Sequence, residues 1–236
     1  MDPTVEIGGR PVEVWPQQQT LYSLGSPKLV RTSFADHDLY HPALRQRILE
    51  LAETEPAPPV GTGKFVCGRK IHDPESWDCA EANLVCARAL ALFRAVTKSP
   101  TAAVDNSWAT LYQSGDFCLP HSHLRAESSI VYMLDVGDEN PAWKGNGRLG
   151  FADPRLPICC PQEPGRMTVP QFPPFEPGDM LLFPGEVIHL VCPYEGERPR
   201  ITLSWNINRQ PLAGASEHHA RVRRKFTKAM ESAVSE

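Results

Sequence analysis

Between residues 106 and 208 the chain is a succession of short segments rich in β-branched and aromatic residues: SWATLYQ, SSIVYMLDV, GRLGFAD, RMTVPQF, DMLLFP, VIHLVCPY and RPRITLSWNIN. Proline, glycine or polar turns separate them. Segments of this length and composition, interrupted at such intervals, build sandwiches or barrels of antiparallel strands. The 24 prolines and 16 glycines of the 236-residue chain fit the same architecture, since both residues punctuate regular structure.

The N-terminal third has a different texture. HPALRQRILELAETE (41–55) repeats Leu44, Ile48 and Leu51 at helical spacing, with Pro42 in a first-turn position. PESWDCAEANLVCARALALFRAVTKS (74–99) carries a longer apolar stripe and is the strongest helix expectation in the chain. Both are expected to pack outside a sheet. The tail SEHHARVRRKFTKAMESAVSE reads as a polar C-terminal helix opened by Ser216, with His218 and His219 on its solvated surface. The expected organisation is therefore an N-terminal extension with supporting helices (1–105), a β core (106–210) and a C-terminal helix (211–236), forming a single domain. The proline-rich stretch 153–178 reads mostly as loop.

A formal charge of −4 and a pI near 6.1 give no reason to expect nucleic acid or an anionic membrane as a partner. Apolar runs such as SSIVYML are too short to span a bilayer. The first residues, MDPTVEIGGRPVEVW, do not read as a secretory signal. Seven cysteines, at 67, 79, 86, 118, 159, 160 and 192, form an odd set without a zinc-type C-x2-C pair, so reduced thiols in a cytoplasmic protein are expected. The neighbouring Cys159 and Cys160 read as unpaired loop residues rather than a redox pair.

Chemistry concentrates in LPHSHLRAE (119–127). On a strand, His121 and His123 would project to one face about 7 Å apart, near enough to share a metal ion. An isolated H-x-H fits a core histidine beside a rim histidine equally well. His189 adds weight to the metal reading. It follows FEPGDMLLFPGEVI, an apolar strand broken at Pro184-Gly185, and a polar ring in such surroundings needs partners. Three imidazoles suit iron, zinc, copper and nickel alike.

Eleven residues later, RITLSWN places Arg200, Thr202, Ser204 and Asn206 on one face of a strand and Ile201, Leu203, Trp205 and Ile207 on the other. The second set is a core face. The first is either an exposed polar face or, turned inward, a row headed by a guanidinium that requires an anion and fits a carboxylate. Thr202 could add a hydroxyl to the same carboxylate.

The order of these pieces resembles the 2-oxoglutarate- and Fe(II)-dependent oxygenases, and within them the "putative 2OG-Fe(II) oxygenase" group. The resemblance is carried by WATLYQSGDF, His121-Ser-His123, SIVYML (129–134), FADPR (151–155), GDMLLFPGEVIH (178–189) and RITLSWN (200–206). It implies a mainly β, double-stranded β-helix (jelly-roll) fold. It also implies an enzyme that couples oxidative decarboxylation of 2-oxoglutarate to oxidation of a small molecule, most simply its hydroxylation, with Fe(II) and O2. Carried over by position, His121, His123 and His189 would hold the metal. Arg200 and Thr202 would hold the distal carboxylate of 2-oxoglutarate, with Tyr112 and Asn206 lining its site. His123 departs from the carboxylate that most of the superfamily has there, which leaves the ion its full charge until an anionic co-substrate arrives.

Glu127 opens an alternative. Gly115, His121, His123, Glu127, Gly178, Pro184 and His189 nearly reproduce the two motifs of the cupins, whose metal takes three histidines and a glutamate. A cupin-type dioxygenase or isomerase would need no 2-oxoglutarate and would leave the Arg200 row unexplained. A rim salt bridge is the plain reading of Glu127. Asp153 and Arg155 are either turn-stabilising or in contact with substrate. Arg125, Lys144, Arg148 and Arg155 hint at a carboxylated substrate, or are solvated surface.

Overall fold

The computed structural model describes residues 3–16, 19–23, 28–54, 68–153 and 170–212. The chain opens with a hairpin, β1 (Thr4–Ile7) and β2 (Arg10–Glu13), joined by Gly8 and Gly9. Both glycines have positive φ (57° and 74°), which the two-residue turn matching strand twist requires. Then come β3 (Tyr22–Ser23), β4 (Val30–Ser33), a 3-10 turn at His37–Leu39 and helix α1 (His41–Thr54). Next are β5 (Arg69–His72), a second 3-10 turn at Pro74–Ser76 and helix α2 (Ala80–Thr97). The β core follows as β6 (Ala103–Tyr112), β7 (Cys118–His121), β8 (Ser128–Asp135), β9 (Leu149–Phe151), β10 (Asp179–Pro184), β11 (His189–Val191) and β12 (Arg200–Asn208).

The strands form a seven-stranded sheet ordered β3-β4-β10-β8-β12-β6-β5, facing a smaller sheet ordered β7-β11-β9, with every pairing antiparallel. Alternation gives the large sheet two different faces. Ile130, Tyr132 and Leu134 on β8, Met180 and Leu182 on β10, and Ile201, Leu203, Trp205 and Ile207 on β12 pack with the two helices. Met133, Leu181 and Phe183 point the other way, into a second core shared with Phe151, Val187 and Val191. The active-site candidates lie between the two sheets.

Helix α1 buries Leu44, Ile48 and Ala52, while Leu51 is only half-buried. The second helix begins six residues later than its stripe predicts. Asp73 takes a left-handed conformation (φ 55°), and Trp77 is extended (φ −74°, ψ 141°). The Trp77 indole is buried and donates to the His72 carbonyl, so tertiary packing holds the segment out of the helix. Arg88, in the middle of α2, is completely buried and fully partnered. It donates to Asp36 (2.6 and 2.9 Å), to the carbonyls of Glu13 and Val14, and to the Tyr40 hydroxyl, joining hairpin, turn and helix. A buried charge is tolerated only when satisfied in this way.

Among the described residues no helix is long and apolar enough to cross a membrane. Among the described residues Cys79, Cys86, Cys118 and Cys192 form no disulfide. Cys67, Arg155, Cys159, Cys160 and the expected C-terminal helix, with His218 and His219, lie outside the described residues, as does most of the 153–178 stretch.

Candidate active site

His189 opens β11 and pairs directly with His121, the last residue of β7. His123 is not on that strand. β7 ends at His121, and His123 stands in the following turn, so the expectation of two histidines on one continuous strand needs correction. What places His123 is backbone. Its N–H donates to the Gly185 carbonyl (2.7 Å), and its own carbonyl accepts from Ala126 (2.9 Å). A Cβ on Gly185 would sit 2.1 Å from the Ala126 oxygen and 2.6 Å from the His123 oxygen. The Pro184-Gly185 break thus lets two chains approach closely enough to set the third histidine.

The rings converge. Centroids are 4.2 Å apart for His121 and His189, and 5.0 Å for each of the other two pairs. One ligating nitrogen from each lies within 4.8 Å of the others, a cluster able to hold a metal ion. Nδ1 of His189 donates to the Val187 carbonyl (3.0 Å) and Nδ1 of His121 to the Leu119 carbonyl (2.8 Å), freeing Nε2 of both as a ligand. The Asn206 amide lies 3.3 Å from Nδ1 of His123 and accepts from the Ser129 hydroxyl through its own oxygen (2.8 Å). The Cys118 sulfur lies 3.4 Å from Nδ1 of His121.

Burial is the first cause of the low proton affinity of all three rings. It lowers His121, takes His123 to about 2, with the neighbouring imidazoles and Lys70 adding repulsion, and takes His189 to about 3. They are neutral at physiological pH, the form that ligates metals.

Arg200 turns inward. It is 2% exposed, its guanidinium lies 4.8 Å from the centre of the Tyr112 ring, and its Nη1 has no hydrogen-bond partner. Thr202, Ser204 and Asn206 line the same cavity as the histidines. The polar row of β12 is therefore an interior face. A cradle for a metal and a buried, under-satisfied guanidinium share one cavity, and that donor set fits Fe(II) with a dicarboxylate.

Glu127 turns away from the histidines and pairs with Arg209 (3.0 Å), the plain reading offered by sequence. Two residues before it the chain turns, which breaks the alternation that would have aimed its side chain inward. Asp153 is buried and accepts from the Ile188 N–H (3.3 Å), steadying the entry to His189. Arg125 pairs with Asp105 (3.3 Å). Lys144 and Arg148 line a neighbouring cavity of about 590 Å³ that shares Leu149 and Arg200 with the histidine cavity. Besides Arg200, the basic residue in the histidine cavity is Lys70, from β5, together with Trp108 and Thr110 from β6. Counting back in twos from Tyr112 reaches Thr110 and Trp108; nothing local to Lys70 announces it.

Residues 106–206 match the family model described as "Putative 2OG-Fe(II) oxygenase". That segment, less than half of the chain, is similar to the core of the 2OG-Fe(II) oxygenases, enzymes that use Fe(II) and 2-oxoglutarate. Its fold is shared by several solved structures. AviO1 from Streptomyces viridochromogenes Tue57 is 17% identical over 75% of this chain and 89% of its own, with a TM-score of 0.51. HygX from Streptomyces hygroscopicus, with nickel and 2-oxoglutarate bound, is 13% identical over 78% and 83%, with a TM-score of 0.55. The non-heme α-ketoglutarate-dependent epimerase SnoN from nogalamycin biosynthesis is 16% identical over 76% and 77%, with a TM-score of 0.55. At such identities the likeness is one of fold. No curated protein matches the chain.

Proposed function

We propose that this oxygenase hydroxylates a small molecule, with His121, His123 and His189 holding Fe(II) and Arg200, assisted by Thr202, holding the distal carboxylate of 2-oxoglutarate. The observation that carries the reading is the unpartnered Nη1 of a fully buried arginine in the cavity where three neutral imidazoles meet. A guanidinium there is costly without an anion, and a planar fork is suited to a carboxylate. Three neutral ligands leave a divalent ion uncompensated, which favours a dianionic co-substrate.

The overall conversion balances as 2-oxoglutarate, O2 and a C–H bond giving succinate, CO2 and a C–OH group. Fe(II), when bound, supplies the redox chemistry of that conversion. The protein's part is to orient and enclose. The Leu119 and Val187 carbonyls fix two imidazoles, Asn206 and Gly185 set the third, and the Tyr112 ring flanks Arg200.

Anaerobic titration of the Fe(II) protein with 2-oxoglutarate tests the reading, because bidentate chelation produces a visible charge-transfer band. The band should appear with wild type and be absent with His121→Ala and His189→Ala, which should also lose stoichiometric metal. A wild-type protein that binds Fe(II) without developing the band would refute the co-substrate assignment. Full metal occupancy in either variant would refute the ligand assignment.

A further inference from the structure

The cavity holds more positive charge than the proposed co-substrate accounts for. Its lining includes two cations, Arg200 and Lys70, three neutral imidazoles and, among the described residues, no aspartate or glutamate. Arg200 is assigned to 2-oxoglutarate. Lys70 is left over, and among the described residues it pairs with no carboxylate.

The two cations sit at different ends of the cavity. Arg200 pairs across the sheet with Tyr112, whereas Ser204 pairs with Trp108. Four residues of strand separate these positions, about 14 Å. Lys70 pairs with Thr110, but its ammonium extends along the sheet to lie 4.4 Å from the centre of the Trp108 ring. That ring is 5.9 Å from the His123 ring. Lys70 therefore stands beside the metal cluster on the side away from Arg200.

We propose that Lys70 binds a carboxylate on the primary substrate, with the Trp108 ring flanking that carboxylate's carbon skeleton. The assignment rests on the oxygenase reading above and adds a substrate class to it, small organic acids. An ammonium on a flexible stem is a compact point charge, suited to one carboxylate and indifferent to the planar fit that distinguishes Arg200. The Trp108 face holds the ammonium in place on one side and leaves its other N–H bonds able to donate.

The test uses the full chain as wild type, Lys70→Gln and Lys70→Arg. The probes are matched sets of N-acetyl amino acids and aryl-alkanoic acids, their primary amides, and phosphate monoesters of similar size. Binding is read twice, by tryptophan fluorescence of the metal-free protein and by perturbation of the anaerobic Fe(II)–2-oxoglutarate band. In wild type the best acid should bind at least tenfold more tightly than its amide, the scale of a charge-assisted hydrogen bond. Lys70→Gln should erase that preference and Lys70→Arg should retain most of it. The 2-oxoglutarate affinity should stay within twofold in both variants.

The proposal is overturned if no acid in the set binds wild type, if acids and amides bind alike, or if Lys70→Gln keeps the preference. Phosphate esters outbinding the acids would overturn the choice of carboxylate. A tenfold weaker 2-oxoglutarate titration in Lys70→Gln would show that Lys70 serves the co-substrate instead. Loss of the band in wild type would strike the oxygenase reading alone, since the fluorescence arm needs neither metal nor co-substrate.

Discussion

Replacing Arg200 by methionine should make the ligand-free protein more stable while removing its affinity for 2-oxoglutarate. Arg200 is 2% exposed, and burial alone pulls its proton affinity down, with the Tyr112 hydroxyl its hydrogen-bonded neighbour. Its Nη1 is without a partner. Substituting a buried, incompletely paired charge by an apolar side chain of similar volume is neutral or stabilising by about 1–4 kcal/mol. Methionine keeps the packing of the aliphatic stem but forfeits the Tyr112 contact, about 1 kcal/mol, so the expected gain is about 0–3 kcal/mol. For a chain of this size that is a rise in melting temperature of up to roughly 12 °C. Binding should move the other way. Truncating one partner of a buried, hydrogen-bonded charge pair costs about 2–5 kcal/mol, roughly thirtyfold to several thousandfold in affinity. Calorimetry on zinc-loaded wild type and Arg200→Met, with and without 2-oxoglutarate, reads both effects. At a hundredfold excess over the wild-type dissociation constant the ligand should stabilise wild type by about 2.7 kcal/mol and the variant by less than about 1 kcal/mol. A variant that melts below wild type without ligand, or that keeps the ligand-dependent shift, would refute the reasoning.

Three further outcomes are expected. Gly185→Ala should displace the turn carrying His123, because its Cβ would meet the Ala126 and His123 carbonyls; metal titration should show at least tenfold weaker binding with the fold retained by circular dichroism. Glu127→Gln should leave metal affinity within about threefold, since the carboxylate pairs with Arg209 and not with the cluster; a large loss would revive the four-ligand alternative. Metal-free protein should lose stability as pH falls below about 6.5. His123 and His189 titrate near 2 and 3 in the folded state against 6.5 when unfolded, so from pH 6.5 down to about 3 the unfolded chain binds more protons. Each contributes a slope of up to about 1.4 kcal/mol per pH unit, and denaturant titrations showing equal stability at pH 7 and pH 5 would contradict it.

The large sheet was legible where alternation survives burial on both faces. Along β12, all nine residues are buried, yet the polar and apolar sets still separate by parity, one facing the histidines and the other the helices. The N-terminal strands were not legible. β3 and β4 are two and four residues long, and they become strands through pairing with each other and with β10. The Gly8-Gly9 pair was a usable hairpin signal, but four-residue strands around it carry little periodicity. The start of α2 was misplaced for the opposite reason. Pro74-Glu75 reads as a helix opening and joins residues 74–79 to the stripe. They instead form a 3-10 turn, after left-handed Asp73, and an extended stretch anchored by the buried Trp77.

The site divides along the same line. Histidines and an arginine inside apolar strands are conspicuous because each violates its surroundings, and a violation can be read without knowing what lies across the sheet. His123 sat in the right cavity for a reason alternation does not contain, a backbone contact that requires glycine at 185. Charge was read least well, because sequence proximity to the motif is a poor guide to which cations enter a cavity. Arg125, two residues from His123, is claimed by Asp105, and Lys144 and Arg148 line a different space. Lys70, fifty-one residues before His121, enters because β5 pairs with β6 and its side chain follows the sheet to Trp108. An unremarkable lysine on an edge strand becomes informative only once its cavity is seen to contain, among the described residues, no carboxylate to pair with it. On the proposed role of Lys70, variation in β5 should retune the preference for the primary substrate without touching the histidines or Arg200.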